Sequence, residues 1–290
     1  MATVEKADIG MFDDIHTLLK EFNNPRLGAN EWRGLFTYPW IDPCEPPGYV
    51  LTDKGVIVGY LGTIYSRRMI AGATQRFCNV SSWIVQPEFR GESIKMVLPL
   101  VRMGDCTVTN FSPSPTVERI FQQLGFEYLD THALIFYPGV SAVRLLTPTA
   151  FRFITDRSEI RQRLSASDRI LFDHHSAFQC GHLLFARESD GMYCYCIYTD
   201  IIRNRLHFNH LHYISCPEVF REHAQRFGLH LCVKTHSMFM KVDCRLLGAS
   251  THALPGSIRF RVTSPRMFKS HTLSPAQVDA LYSELLILNI

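Results

Sequence analysis

The spacing of apolar positions changes several times along the first 140 residues, and each change marks a structural element. Apolar side chains recur at helical spacing over Asp13–Phe22, which predicts a first helix there. Two β-rich apolar runs, Tyr49–Thr52 and Val56–Tyr65, flank the turn Asp53-Lys54-Gly55 and predict a hairpin. A third run, Arg76–Val85, predicts the next strand.

Downstream of this strand the pattern alternates between helix and strand. Gly125 follows the apolar face of Val117–Leu124 directly, as is typical of a helix C-terminus. The pattern predicts further elements: strand Thr3–Lys6, short helix Glu31–Phe36, helix Ser93–Met103, strand Cys106–Asn110, helix Val117–Leu124 and strand His132–Tyr137. An antiparallel meander that switches to βαβ order predicts a mixed α/β fold, with a mainly antiparallel sheet and flanking helices.

The second half carries a weak internal repeat of the first. The hairpin Val50–Tyr60 resembles Leu183–Tyr195, and each has a glycine in its turn. The strand Leu206–Ser215 leads directly into a predicted helix, Glu218–Phe227, without a phosphate-binding turn between them. Apolar positions over Val278–Leu288 predict a C-terminal helix.

These patterns divide the chain into two domains. Val140–Ala150 lacks a clear period and is typical of a linker. We therefore expect an α/β domain over residues 1–139 and a second α+β domain over residues 140–290.

Composition and charge narrow the classes of function. Of the 290 residues, 46% are apolar and 20% are charged, and the net charge is +3. This is a globular balance without the basic surface that nucleic-acid binding needs. The N-terminal residues have no apolar signal core, and no apolar run has the length of a membrane helix. We expect a soluble protein without membrane or nucleic-acid partners.

The cysteines and histidines favour a reducing compartment and no metal. The nine cysteines are scattered and form no C-x-x-C pair, which favours reduced thiols in a cytoplasm. His210 and His212 share one strand face, as two metal ligands can. No Cys/His spacing completes a zinc motif, so no metal site is expected.

Two motifs resemble the GNAT N-acetyltransferase superfamily. Trp83–Lys95 is similar to the family's strand end, V-x-P-x-aromatic-R-G, running into a helix. Ile120–Phe126 resembles the family's L-Y-x-x-L-G-F, which closes the helix after the fifth strand. The resemblance covers residues 1 to about 138, and the repeat suggests a decayed GNAT-like second domain.

The resemblance implies an acetyl-CoA site on the first domain. It places the pantetheine arm on the strand end and the pyrophosphate on the turn that follows, where a helix N-terminus favours anions. The family pattern from Arg90 is R-x-x-G-x-G/A, and Ser93 and Lys95 depart from it. The implied donor-binding residues are Trp83, Ile84, Val85, Arg90, Gly91, Glu92, Ser93, Ile94, Lys95 and Phe121.

The family's usual proton-transfer residues are missing. Asn79 aligns with the carboxylate that serves as base on the fourth strand, and Phe121 aligns with the tyrosine that serves as acid. Ser81 and Ser82 can order a water in their place, and with Asn79 they are the candidate catalytic residues. Without a protein base, the rate is expected to climb steadily with pH. His16 and His132 lie outside the motifs and are better explained as structural.

The resemblance implies acetyl transfer from acetyl-CoA to the amine of a small molecule, an amino sugar or an amino acid. A homodimer is compatible with the sequence. One alternative is a non-catalytic acyl-CoA-binding or structural protein. Another is an aminoacyl transferase of the tandem-GNAT type, whose tRNA partner favours a more basic surface than +3. Specificity in this fold usually comes from the segment after the first strand, which is Asn23–Pro47 here. Aromatics in or near it line an acceptor pocket or belong to the core, with Trp32 and Phe36 assigned to the core: Trp32, Phe36, Tyr38, Trp40 and Tyr65.

Overall fold

The computed structural model describes residues 2–138, 148–203, 205–248 and 254–290, and in them the chain forms two compact units. Unit 1 comprises Met1–Tyr128, Arg266–Val278 and Tyr282–Leu288, and unit 2 comprises Leu129–Pro265, Asp279–Leu281 and Asn289–Ile290. Two segments near the C-terminus therefore return to the first unit. The predicted boundary at residues 139 and 140 lies outside the described residues, as does most of the predicted linker Val140–Ala150.

Unit 1 is built from short helices and a sheet. Its elements are β1 (Thr3–Lys6), α1 (Phe12–Leu19), α2 (Ala29–Arg33), β2 (Gly48–Asp53), β3 (Val56–Ile70), β4 (Ala73–Val85), a 3-10 helix (Pro87–Met96), α3 (Leu98–Val101), β5 (Cys106–Asn110) and α4 (Pro115–Gln123). Strands β1 to β4 pair antiparallel in chain order, and β5 pairs parallel with β4. The mixed, mainly antiparallel sheet predicted from the sequence is confirmed.

A sixth strand reaches unit 1 from far along the chain. Strand β12 (Ser257–Lys269) ends in unit 1, where Met267–Lys269 pair antiparallel with β5 residues 108–110. Strand β6 (Glu127–Phe136), which follows α4 in the chain, instead pairs within unit 2. The sixth strands of the two repeats are thus exchanged.

Unit 2 repeats the strand order of unit 1. Its elements are β7 (Phe151–Ile154), α5 (Arg157–Arg163), α6 (Ala166–His175), β8 (Cys180–Arg187), β9 (Tyr193–Arg203), β10 (Leu206–Ile214), α7 (Pro217–Thr235), β11 (Phe239–Asp243) and a 3-10 helix (Cys244–Leu247). Strands β7 to β10 pair antiparallel in chain order, β11 pairs parallel with β10, and β6 pairs antiparallel with β11. The predicted second GNAT-like repeat therefore has the same topology as the first.

Three predicted helices differ from the structure. The helix expected over Ser93–Met103 is divided between the 3-10 helix and the four-residue α3, because Pro99 cannot donate its hydrogen bond in a helix interior. The helix expected over Val278–Leu288 is reduced to α8 (Glu284–Ile287). Helix α7 continues past the expected end at Phe227, and Gly228 lies inside it with space for no more than a methyl group beside Phe136.

Candidate functional site

An opening lies between β4 and β5 where the two strands stop pairing. They pair over four residues, from Arg76 with Cys106 to Asn79 with Thr109. Strand β4 continues for Val80–Val85 and there pairs with β3 on its other side. One backbone edge of Val80–Val85 is therefore left without a β5 partner among the described residues. A ligand with amide groups can pair with such an edge.

The start of this opening is marked by a β-bulge. Leu61 pairs with Trp83 and Thr63 pairs with Val80, so Ser81 and Ser82 together oppose the single residue Gly62. A bulge bends a strand and leaves backbone groups unpaired, and bulges are frequent beside active sites. The predicted catalytic residues Ser81 and Ser82 thus form the bulge.

Position 62 must be glycine because the Ser81 side chain approaches its backbone closely. A Cβ atom at Gly62 would lie 2.4 Å from the Ser81 Oγ atom. The Ser81 hydroxyl is buried and has no hydrogen-bond partner among the described residues. Buried hydroxyls usually find a partner, so the Ser81 hydroxyl is an unsatisfied polar group inside the bulge.

The buried carboxylate of Glu284 contacts Asn79, which occupies the position where the family pattern has a carboxylate. The Asn79 Nδ2 atom donates to Glu284 Oε2 over 2.5 Å, and the Ser112 Oγ atom donates to Glu284 Oε1 over 2.5 Å. The Thr109 hydroxyl donates to Asn79 Oδ1 over 3.2 Å, which orients the amide with its nitrogen toward Glu284. All four residues belong to unit 1. The segment Tyr282–Leu288 therefore supplies a carboxylate at the start of the opening.

The environment of Glu284 makes its carboxylate a stronger base. Glu284 is 1% exposed, and burial raises its pKa because a charge is disfavoured away from water. The hydrogen bonds from Ser112 and Asn79 and the charge of Arg266 act in the opposite direction. Ser112 itself is exposed and lies two residues beyond the end of β5. It therefore connects the buried carboxylate with the surface.

Glu284 was not among the predicted site residues, although the sequence carries one signal for it. Glu284 is the single charged residue in the apolar run Ala280–Ile287. A charged side chain in such a run is buried only with partners, so its presence indicates a polar contact in the core. The sequence does not show which residues these partners are, because Asn79 lies 205 residues from Glu284 along the chain.

Phe121 is fully buried in an aromatic stack. Its ring lies 6.0 Å from Trp83 and 4.5 Å from Phe126, centroid to centroid, and both contacts are stacked. Trp83 projects from the unpaired part of β4 and is partly exposed. Phe121 thus supports the side chain of Trp83 and has no proton to give.

The predicted pyrophosphate turn, Arg90–Lys95, has a different local structure from the one expected. It lies inside the 3-10 helix Pro87–Met96, so it does not open an α-helix. The Ser93 hydroxyl donates to the Arg90 carbonyl over 2.7 Å and caps nothing. The Lys95 Nζ atom lies 2.5 Å from Glu92, whose pKa is lowered by that hydrogen bond. Arg90 remains exposed, and Ile94 is partly buried.

The remaining donor-site candidates lie at the rim of the same region. Ile84 and Val85 end β4 and are partly buried. Gly91 is exposed, and a Cβ atom there would meet nothing within 4 Å. The space at Gly91 is therefore open to a ligand.

The two histidines considered as bases lie in separate units. His16 on α1 stacks on Phe12 with ring centroids 5.5 Å apart. His132 on β6 belongs to unit 2, and its Nδ1 atom lies 2.9 Å from the Thr131 hydroxyl. Neither is described in contact with Asn79, Ser81 or Ser82.

Most of the aromatics proposed for an acceptor pocket belong to the core. Trp32, Phe36, Tyr38 and Tyr65 are each 5% exposed or less, as expected for Trp32 and Phe36. Trp40 is partly exposed and meets the Tyr282 ring edge-on at 4.8 Å. Tyr282 itself is buried, and the Arg68 guanidinium lies 5.1 Å from its ring centroid, so Trp40 is the more accessible member of this pair.

The equivalent position in unit 2 lacks a comparable opening. Strand β10 pairs with β11 up to Leu211 and then has three residues, with a bulge at His212, before it ends at Ile214. The Tyr213 hydroxyl donates to Asp168 over 2.7 Å. Helix α7 begins at Pro217, directly after this short end. Unit 2 thus offers half the backbone edge that unit 1 does.

The described residues contain neither a membrane-spanning helix nor a metal-binding cluster. None of their helices is long and apolar enough to cross a membrane. In the same residues no group of three or more His, Cys, Asp or Glu side chains is arranged to hold a metal ion. The pair His210 and His212 is buried, and His210 lies 3.2 Å from Asp243.

Comparison with known proteins identifies the fold through structure alone. No family model matches the sequence, and no curated protein is similar to it. A GCN5-related N-acetyltransferase from Anabaena variabilis superposes with a TM-score of 0.63 at 10% identity, over 93% of this chain and 72% of that chain. One from Kribbella flavida superposes with a TM-score of 0.55 at 13% identity, over 93% of this chain and 72% of that chain.

A third similar structure belongs to a larger enzyme. It is the GCN5-related glucosamine N-acetyltransferase region of a fungal multi-domain β-N-acetylglucosaminidase, with a TM-score of 0.57 at 13% identity. The match covers 92% of this chain and 38% of that chain. The chain therefore has the fold of the GCN5-related N-acetyltransferases, with two GNAT-like domains.

Proposed function

We propose that the protein is an acyltransferase that moves an acetyl group from acetyl-CoA to the amine of a small molecule, an amino sugar or an amino acid. The observation that carries this proposal is the opening after Asn79, where β4 leaves β5 and bulges at Ser81 and Ser82. In the proposal, the amides of the pantetheine arm pair with the free edge of Val80–Val85.

The bulge gives the thioester a place to react. Backbone N–H groups freed at Ser81 and Ser82 stabilise the oxyanion that forms when the amine attacks the carbonyl carbon. Such preorganised donors are typically responsible for about 10²–10³-fold in rate each. The Ser81 hydroxyl is buried without a partner among the described residues, and it would need a change of rotamer to reach the same oxygen or a water.

The phosphates bind at the surface in this proposal. Arg90 is exposed and Gly91 leaves open space, so both can approach a pyrophosphate. The 3-10 helix lacks the dipole of a long α-helix, and Glu92 already pairs with Lys95. We therefore expect acetyl-CoA affinity in the micromolar range, with most of it contributed by the arm on β4.

The acceptor is proposed to bind at the partly exposed ring of Trp40, which packs against the buried Tyr282. Sugar rings and apolar side chains both pack on aromatic faces, and ligand sites are mostly apolar with few polar groups. The similar fungal region is a glucosamine N-acetyltransferase, which makes D-glucosamine the first acceptor to test.

Release of free CoA thiol from acetyl-CoA with a panel of amino sugars and amino acids tests the proposal. Product formation that follows enzyme concentration supports it. Tight acetyl-CoA binding without turnover of any amine, and without hydrolysis in their absence, would instead support a non-catalytic acyl-CoA-binding protein. That second function is favoured by Phe121, which cannot act as the acid.

A further inference from the structure

Glu284 is an ionisable side chain in a place where an amide would satisfy the same donors. It is 1% exposed and its neighbours Leu285, Leu286 and Ile287 are buried. Transferring a carboxylate out of water costs several kcal/mol, and two hydrogen bonds offset only part of it. A residue that only anchors the segment Tyr282–Leu288 needs no charge. The presence of a carboxylate therefore indicates a further role.

The hydrogen bonds to Glu284 favour its ionised form and so act against the effect of burial. Each oxygen accepts one bond, from Asn79 on one side and from Ser112 on the other. The Asn79 amide is itself fixed by Thr109, whose hydroxyl donates to Oδ1. The positive charge of Arg266 on β12 also favours the ionised form of Glu284. Asn79 and Ser112, from β4 and from the segment after β5, are uncharged.

Ser112 gives this buried group access to the opening. Strands β4 and β5 are parallel, so their carboxyl ends meet at one edge of the sheet, and ligands in α/β folds bind at such edges. Asn79 is the last residue of β4 that pairs with β5, and Ser112 follows β5 by two residues. Ser112 is an exposed residue, and its hydroxyl donates to the buried Glu284 carboxylate.

We propose that Ser112 and Glu284 take the proton from the acceptor amine, with the Ser112 hydroxyl facing the amine and the Glu284 carboxylate behind it. This rests on the acyl transfer proposed above. Asn79 then holds the carboxylate in position instead of serving as a base.

The step balances in atoms and charge. The protonated amine first gives one proton to the Ser112 oxygen as the Ser112 proton passes to Glu284, which frees the lone pair on nitrogen. The nitrogen then forms a bond to the thioester carbonyl carbon, and the carbon–sulfur bond breaks with its electron pair leaving on sulfur. The second amine proton passes through solvent to the CoA thiolate, and the proton on Glu284 is later lost to solvent, so the products are an amide, free CoA and one proton.

Burial of Glu284 suits this role. Its pKa lies above the usual glutamate value, because desolvation outweighs the bonds from Ser112 and Asn79 and the field of Arg266. A base is most effective when its pKa lies near the working pH. The wild-type rate should therefore rise with pH and reach a plateau once the carboxylate is ionised, at a higher pH than an ordinary glutamate would give.

The test uses the full chain with acetyl-CoA as donor and two acceptors, D-glucosamine and hydroxylamine. Glucosamine is largely protonated at neutral pH and needs a base, whereas hydroxylamine is largely unprotonated. We expect Glu284→Gln and Ser112→Ala each to lower kcat/KM for glucosamine at pH 7 about 10²–10³-fold, within the range of a general base. Hydroxylamine transfer should fall less than about tenfold, which a merely structural defect would not allow.

The pH profile and the double variant sharpen the test. Each single variant should lose the plateau and climb through about pH 9, and the double variant should fall no more than about threefold below either, because groups that act as a unit are not additive. Glu127→Gln, which removes an exposed charge of the same type in unit 1, should match the wild type. If Glu284→Gln fails to fold, Ser112→Ala carries the same comparison, since it removes an exposed hydroxyl.

Two results would overturn the inference, and they are distinguishable. Wild-type turnover that is unchanged within threefold in Glu284→Gln and Ser112→Ala would eliminate the proton relay and leave acyl transfer intact. Absence of wild-type turnover with both acceptors would eliminate acyl transfer to amines, and the relay with it.

Discussion

Gly62 is the residue whose replacement tests the bulge with the least change in chemistry. A methyl group there would lie 2.4 Å from the Ser81 Oγ atom and 3.1 Å from the Tyr60 hydroxyl. We expect Gly62→Ala to lower the free energy of unfolding by about 1–3 kcal/mol, the usual cost of overpacking, and to lower acetyl transfer by displacing Ser81.

Gly104→Ala is the matched control for that substitution. A Cβ atom at Gly104 would meet nothing within 4 Å, so its stability should stay within about 0.5 kcal/mol of the wild type. Urea unfolding followed by fluorescence measures both variants. Equal urea midpoints for Gly62→Ala and Gly104→Ala would show that the Ser81 side chain can adopt another rotamer without loss of stability.

At the scale of an element, the 3-10 helix Pro87–Met96 determines how strongly the phosphates of acetyl-CoA are expected to bind. Glu92 pairs with Lys95 and places a negative charge on the segment where the resemblance puts the pyrophosphate. Glu92→Gln should therefore raise acetyl-CoA affinity about two- to fivefold at low salt, an effect of the size of a surface ion pair. The gain should shrink as salt screens the charges.

Isothermal titration calorimetry at two salt concentrations measures this effect. Glu21→Gln removes an exposed charge on a different segment of unit 1 and should leave the affinity unchanged. Weaker binding in Glu92→Gln would mean that the Glu92–Lys95 pair orders the segment for the ligand.

Elements with a strong local pattern could be predicted, and those fixed by distant contacts could not. The hairpin Asp53-Lys54-Gly55 was predictable because Gly55 supplies a positive φ at the turn and apolar runs flank it. The long helix expected at Ser93–Met103 failed at Pro99, whose ring ends a regular hydrogen-bond ladder. Glu284 was missed because its partners come from β4 and from the segment after β5.

At the scale of the whole molecule, the repeat could be predicted from the sequence, but the exchange of the sixth strands β6 and β12 could not. Turn glycines and β-rich runs recur in each half and predict two similar sheets. Pairing of β12 with β5 and of β6 with β11 depends on contacts between distant parts of the chain. Strand propensity does not specify a partner, so a division of the sequence into consecutive halves could not show this return of the chain.

Two buried histidines of unit 2 predict a loss of stability in acid. Burial lowers the pKa of His175 to about 4 and that of His182 to about 3, against an ordinary value of about 6.5. Between pH 6.5 and 4 the unfolded chain therefore binds more protons than the folded one. Stability should fall across this window as the pH is lowered, by on the order of 3 kcal/mol per histidine, and should not change on this account above pH 6.5.

Urea unfolding at a series of pH values from 7.5 to 4 measures this loss. The double variant His175→Gln and His182→Gln should have a flatter profile than the wild type, even if it is less stable at pH 7.5. An equal slope in both proteins would mean that other groups cause the acid sensitivity.

In the proposal, acetyl-CoA binds in the opening between β4 and β5. Amide hydrogen exchange measured with and without acetyl-CoA tests this binding site most directly. Pairing of the arm with the free edge predicts slower exchange within Val80–Val85, and no change at the shorter end of β10 over His212–Ile214. Titration should saturate at one acetyl-CoA per chain. Unchanged exchange in Val80–Val85 at saturating acetyl-CoA, or protection of His212–Ile214 with two molecules bound per chain, would contradict the assignment.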